Sequence, residues 1–349
     1  MKVKLVNAHH VKTLPGRKTD VLDCQWLQQL HSYGLLSGSF RPADEICVLQ
    51  SYIRQRDTLI KSACIHVQRM QKALTQMNVQ LHQVVSDITG TTGMAIIRAI
   101  VAGERNPQVL AALRHHRSQR SEAEIAQALE GDYRTEHIFV LQQELHLYDV
   151  YQTQITACDR QIEQCLLDFD DQVDLIESPL PASKHTRHQP QGNEPAFDLR
   201  THLYRICGID FTQIDGLGVL TVQTILSEVG LDPSRFPTVK HFTSWLGLSP
   251  GSRITGGKVK SSRTRCVTNR AANAFRMAAQ TAAYVPFCLG SVLSPSSFSI
   301  RCTQSDYRYC PQNRALILPH VDDWRAVRRP WYGLLRAAVS AASPQPSEE

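Results

Sequence analysis

The chain has 349 residues, 42% hydrophobic and 20% charged, with a formal net charge of +6; the length allows roughly two ordinary domains and the composition is globular. No apolar run reaches the ~18 residues of a membrane span, and Met1-Lys-Val-Lys-Leu-Val-Asn lacks the apolar core and cleavage site of a secretory signal, so a cytoplasmic protein without membrane contact is expected. Ten cysteines lie singly between Cys24 and Cys310 with no C-x-x-C spacing, which excludes an evident disulfide framework or zinc pattern and fits free thiols.

In chain order, Val3-Lys-Leu-Val-Asn alternates like a short strand. Pro15-Gly16 makes a turn, and a helix follows from about Thr19 with Val21, Leu22, Trp26, Leu27 and Leu30 on its apolar face. Forty residues cannot enclose a core of their own, so this part reads as the end of a domain. From Ile46, alternate steps of three and four give Leu49, Ile53, Arg56, Ile60, Ala63, Val67, Met70, Leu74, Met77, Leu81, Val84 and Ile88, a seam that only Arg56 interrupts. Such a rod would be roughly 65 Å long at 1.5 Å per residue. A second seam runs from Ile138 through Leu141, Leu145, Tyr148, Gln152, Ile155, Asp159, Ile162, Leu166, Phe169 and Val173 to Ile176. With a polar stretch (about 90–136) between them, the two seams predict an antiparallel coiled-coil arm or the halves of a dimer; two amphipathic helices of a bundle are the alternative. Residues 178–196, with four prolines, read as a linker, and a second globular unit begins near Phe197.

Charge is unevenly placed. From Pro233 to Ser305 there is no Asp or Glu, while Arg235, Lys240, Arg253, Lys258, Lys260, Arg263, Arg265, Arg270, Arg276 and Arg301 supply ten positive charges. A one-signed surface suits a phosphate backbone, whereas solvated faces normally mix signs. Just before this stretch, Ile214-Asp-Gly-Leu-Gly-Val opens an amphipathic helix. Gly216 and Gly218 there resemble the turn of a helix-hairpin-helix element, in which backbone amides approach a phosphate; a plain turn between helices needs the same residues.

Two groups of residues could carry chemistry. Asp20 and Asp23, three residues apart, place two carboxylates on one side of a helix, where they could share Mg²⁺ or simply favour the helix dipole. In Gly247-Leu-Ser-Pro-Gly-Ser-Arg-Ile-Thr-Gly-Gly-Lys258 and the following residues to Arg270, hydroxyls alternate with basic side chains around a Gly-Gly pair. That pattern suits a hydroxyl nucleophile attacking a phosphodiester, or phosphate contact without chemistry.

Four blocks, the segment from Leu5 to Phe40, Ile214–Gly230, Phe242–Arg265 and Asn269–Gln280, together resemble the DEDD transposases of bacterial insertion sequences, the insertion-sequence 110/1111 family with its 116/110/902 C-terminal domain. The resemblance covers about residues 3–285. It implies a mainly α chain: the C-terminal remnant of a RuvC-like, RNase-H-type α/β domain (1–41), a coiled-coil helical region (42–177), a linker (178–196) and an α-helical transposase domain (197–286). It also implies DNA recombination directed by a bridge-type RNA, self-association through the coiled coil, and Mg²⁺. By motif, Asp20 and Asp23 match the last two acids of the metal tetrad and Thr255 falls at the nucleophilic serine. Gly216, Gly218, Arg253, Gly256, Gly257, Lys258, Lys260, Arg263, Arg265, Asn269 and Arg270 are the expected nucleic-acid contacts.

Three departures temper that expectation. In the family, the other two tetrad acids lie on strands that would precede Met1. Threonine stands in place of serine at 255. After about Pro286 the helical period stops, and codons for Cys302–Gln312 can be chosen that read, one base later, as the family's Ala-Pro-Lys-Ala-Ile-Thr-Ala-Thr-Ala-His block. A truncated copy, frameshifted near Val285–Phe287 with residues 287–349 out of frame and disordered, is therefore expected: a transposition protein without recombinase activity. The alternative is a non-catalytic nucleic-acid-binding protein or a dominant-negative partner of an intact transposase.

Overall fold

The computed structural model describes residues 4–6, 23–36, 38–183, 193–249, 251, 253–261, 264, 267–284, 335 and 338. Asp20, Arg263, Arg265 and the expected out-of-frame segment, apart from Leu335 and Ala338, lie outside the described residues. The architecture is mainly helical, as expected.

At the start, Val6 bridges Gly38 and helix α1 spans Asp23–Ser32, with Leu30 buried and Leu27 exposed. Helix α2, Asp44–Gln76, opens with Asp44 and Glu45, whose charges favour its N-terminal dipole. It stops where Asn78 adopts a left-handed conformation (φ 59°); the amides of Asn78 and Val79 then close onto the carbonyls of Thr75 and Leu74. The seam read to Ile88 therefore leaves the helix at Gln76, and the rod is about 50 Å long, not 65 Å. Asparagine tolerates the left-handed region, and this residue outweighs the continuing heptad.

Helix α7, Thr135–Leu167, returns antiparallel to α2: Arg56 meets Asp159 and His66 meets Glu144. Arg56 is the break in the first seam and Asp159 one of two, with Gln152, in the second, and Arg56 and Asp159 are each other's partner. Their side chains are 7% and 10% exposed, so the pair is taken out of water and each charge depends on the other. The second seam overshoots, because Ile176 lies beyond α7 and is 91% exposed.

The stretch between the seams, read as polar, is a small helical cap. Helices α3 (Leu81–Val84), α4 (Thr91–Ala102), α5 (Pro107–Ala112) and α6 (Glu122–Ala128) enclose Ile96, Ile97, Ile100, Leu110, Ile125 and Leu129 against Met70, Leu74, Leu141 and Leu145 of the long helices. Asn106 caps α5 with Pro107 behind it, and Ser121 and Glu124 form a reciprocal capping box on α6. Gly131 passes so close to the end of α2 that a β-carbon there would stand 2.4 Å from the Met77 carbonyl oxygen.

At the other end, a second core joins the base of the arm to the C-terminal half. Helix α8 (Leu199–Cys207), a 3₁₀ turn (Phe211–Gln213), α9 (Val219–Val229), a second 3₁₀ turn (Pro233–Arg235), α10 (Val239–Trp245) and α11 (Arg270–Tyr284) follow in order. Phe211, Val222, Ile225, Phe242 and Phe275 pack in one cluster with Ile46, Leu49 and Ile53 of α2 and Ile162 and Leu166 of α7. Leu335 and Ala338 are buried in the same cluster. Arg205 reinforces the joint, donating to the Leu166 carbonyl at 2.6 Å and pairing with Asp171.

Candidate nucleic-acid interface

The acid-free stretch begins in the α9–α10 region and turns into a two-stranded antiparallel ribbon before α11. Ile-Thr-Gly-Gly-Lys-Val is an apolar/polar alternation around a pair of glycines, and the ribbon pairs β1 (Arg253–Thr255) with β2 (Lys258–Ser261). Gly256 and Gly257 both have positive φ (58° and 76°), as a type I′ two-residue turn requires. By sequence these glycines are expected among the nucleic-acid contacts and not in a hairpin; the alternation beside them is the available sign of one.

Thr255 and Lys258 are directly opposed across the turn, so hydroxyl and ammonium share one face of the ribbon. Ile254 pairs with Val259 on the other face, and the register slips next to Arg253, which pairs with Ser261 and leaves Lys260 as the extra residue. Thr255, Gly256, Gly257, Lys258 and Lys260 are all exposed, and even Ile254 is 64% exposed, so the tip stands clear of the core. An exposed ammonium costs nothing to desolvate until a ligand arrives, and an apolar residue beside it can cover a sugar or base edge.

Other expected contacts are already engaged within the fold. The Asn269 side chain accepts from the amide of Ala271 at 2.8 Å and so caps α11. Arg270 pairs with Asp57 of α2 at 3.1 Å. Gly216 takes a positive φ (86°) in the turn before α9, and Gly218 occupies the N-cap of α9 without a side-chain cap. Of Arg253 the structure describes the backbone alone, and the same holds for Asp23, the first residue of α1. Among the described residues there is no group of three or more His, Cys, Asp or Glu able to hold a metal.

Sequence reasoning passed over the residue that shapes the Gly216 loop. The Asp210 carboxylate accepts from Arg200, from the Thr212 amide and hydroxyl (3.0 and 2.6 Å) and from Gln213 (3.0 Å). Burial works against its charge, but the hydrogen bonds from Arg200, Thr212 and Gln213 outweigh it and hold the carboxyl below its ordinary range. Asp-x-Thr, an Asx turn at the start of a 3₁₀ helix, was the legible sign. By contrast, burial pushes the Cys207 thiol up to about 12, which makes it inert rather than reactive.

Residues 210–286, from this aspartate through the hairpin and α11, match the model of the Transposase IS116/IS110/IS902 family. They form a C-terminal domain of that transposase family. The transposase domain supports a role in DNA transposition. It includes the Gly216 turn, both strands of the ribbon and the helix capped by Asn269, so the projecting basic tip belongs to the family unit. No curated protein and no solved structure matches the chain. No helix among the described residues is long and apolar enough to cross a membrane.

Proposed function

We propose that the protein acts in DNA transposition by gripping the DNA backbone through the β1–β2 ribbon, and that a polypeptide of these 349 residues binds without cutting. The observation that supports this reading is the type I′ tip, which presents Thr255 and Lys258 together, exposed, in a stretch free of carboxylates. A lysine beside a hydroxyl can neutralise and hydrogen-bond one phosphate, and Lys260 lies where it can reach the next. Arg253, Arg263 and Arg265 would extend the same contact.

As the nucleophile candidate, Thr255 keeps the hydroxyl of a serine but adds a methyl group that hinders approach to phosphorus. Asp20 and Asp23 are the carboxylates that would hold Mg²⁺, whose chemistry is to polarise a phosphoryl oxygen. Two carboxylates leave the rest of an octahedral shell to water or nucleic acid, so a weak site is the reading, and no step is assigned to the ion. A guide RNA on the same basic domain, self-association through the α2–α7 pair as a coiled coil, and interference with an intact transposase protomer belong to the same proposal.

The test is fluorescence anisotropy on duplex DNA against salt, beside a strand-cleavage assay with Mg²⁺. Lys258→Gln combined with Lys260→Gln should lower the slope of log K against log[salt] by about 2, while Thr255→Ala, which removes a hydrogen bond but no charge, should leave that slope unchanged and weaken binding only about threefold. Binding indifferent to the lysines would remove the ribbon from the interface. Mg²⁺-dependent cleavage by the unaltered chain, abolished by Thr255→Ala, would overturn the non-cutting reading and make Thr255 the nucleophile.

A further inference from the structure

The transposase domain occupies one end of a 50 Å arm, and the other end carries a second run without acids. From Arg105 to Ser121 there is no Asp or Glu, but there are four arginines and two histidines. Most of the charge falls in the loop between α5 and α6: Arg114-His-His-Arg117-Ser-Gln-Arg120.

This loop is held in shape rather than loose. The His115 amide donates to the Thr92 hydroxyl at 3.0 Å, Ser118 closes back onto the His115 carbonyl at 2.9 Å, and Arg114 donates to the Arg120 carbonyl at 3.2 Å. His115 and His116 lie ring against ring, 4.1 Å between centroids. The effect is to turn His116, Arg117 and Arg120 outward, all exposed. Arg114 and Arg120 pair with Glu122 and Glu124 at 3.2 Å, with side chains 29–60% exposed. Surface pairs of that kind are weak and yield readily to a phosphate. Arg117 has no carboxylate partner among the described residues.

We propose that this loop is a second DNA contact, at which the tip of the arm holds the phosphate backbone of a duplex whose other part is held by the ribbon. The chemistry selects the ligand. The run contains no Phe, Tyr or Trp, the large rings on which unpaired bases stack most strongly, and its charge comes from arginines, whose guanidinium forks match phosphate oxygens. The spacing sets the length: about 50 Å along α2 corresponds to about 15 base pairs at 3.4 Å each. A duplex shorter than that reaches one site, and a longer one can reach both.

The inference rests on the ribbon reading, and duplex length separates the two. Anisotropy titrations of the full chain would use about 10 and about 30 base pairs of duplex DNA, with an A-form RNA duplex of the longer length as competitor, sizes set by the span above. The unaltered chain should bind the longer DNA more tightly, with a steeper salt slope. Arg117→Gln with Arg120→Gln should lower that slope by about 2 and weaken binding about tenfold on the long duplex, with no change on the short one. Arg117→Glu alone should act in the same direction, and circular dichroism melts confirm that both variants keep the fold. Equal loss on both lengths, or no loss on the long one, overturns the second contact. So does an RNA duplex that displaces the DNA only from the unaltered loop. Failure of the unaltered chain to bind even the short DNA overturns the ribbon reading instead.

Discussion

At the tip of the ribbon, two glycines decide whether Thr255 and Lys258 face the same way. Side chains at φ 58° and 76° would be strained, yet a β-carbon at either position meets nothing within 4 Å, so the cost of substitution is backbone strain alone. A β-branched residue in the left-handed region costs about 1–2 kcal/mol. Gly256→Val with Gly257→Val should therefore open the turn and weaken DNA binding by about tenfold, roughly 1.4 kcal/mol. Gly256→Asn should bind as the parent does, because Asn-Gly is the favoured pair for this turn. Anisotropy on one duplex compares the three proteins; equal affinity in all of them would mean that the ribbon's shape does not matter. The carboxyl of Asp210 makes a second prediction at this scale. It ionises more readily folded than unfolded, so between its folded value and about 3.9 the unfolded chain holds more protons. Its contribution is complete above that window and disappears as pH falls through the folded value. Asp210→Asn should cost about 2–3 kcal/mol at neutral pH and flatten the acid limb of the melting curve, which thermal melts from pH 7 to pH 3 would read. Parallel acid limbs for the two proteins would show that another carboxyl controls that range.

Helix by helix, periodicity was a good guide to which residues pack and a poor guide to where helices end. The α2 seam is buried at Ile46, Leu49, Ile53, Met70 and Leu74, as its spacing predicts, because a 3–4 repeat keeps one face inward. The boundary at Gln76 was written in Asn78 alone, one residue against a seam that continued for four more apolar positions. The cap was missed for a different reason. Its helices are short and the charge of the stretch lies mostly in the segments between and after them, so averaged polarity concealed Ile96, Ile97, Ile100 and Leu110, all fully buried. The capping box at Ser121 and the Asn106-Pro107 start were legible there, had local punctuation been weighed above the average. Arg56 and Asp159, one break from each seam, also read as flaws separately and as a pair together. Removing one partner of a buried pair strands the other charge at a cost of about 3–5 kcal/mol, whereas replacing both by apolar residues is often neutral or better. Asp159→Ala should therefore lower stability by that amount, and Arg56→Leu with Asp159→Leu should recover most of it in urea unfolding. A double variant as unstable as the single one would show that the pair contributes more than mutual neutralisation.

Across the whole molecule, the two hydrophobic cores do not coincide with the units suggested by composition. The proline-rich stretch at 178–196 separates the arm from the C-terminal half along the chain. In space, the first three turns of α2 and the last two of α7 complete the core around Phe211, Phe242 and Phe275. The family match begins at residue 210, so α8 and the arm supply a wall that the matched residues do not contain. Ile46, Leu49, Ile53, Ile162, Leu166 and Phe169 are each less than 9% exposed. At about 1.5–3 kcal/mol for each apolar side chain buried, their loss amounts to roughly 9–18 kcal/mol, at least the size of a domain's entire stability. Residues 197–286 expressed alone should accordingly lack a cooperative melt and bind a hydrophobic dye, while a chain that includes the arm melts cooperatively. Glu228, held at 2.9 Å by Arg54 and Gln50, and Arg270, paired with Asp57, would be left without those partners in the fragment. A fragment that melts sharply near the temperature of the longer chain would refute the shared core. In that event the arm would be a separable lever, and the ribbon's DNA affinity would survive its removal intact.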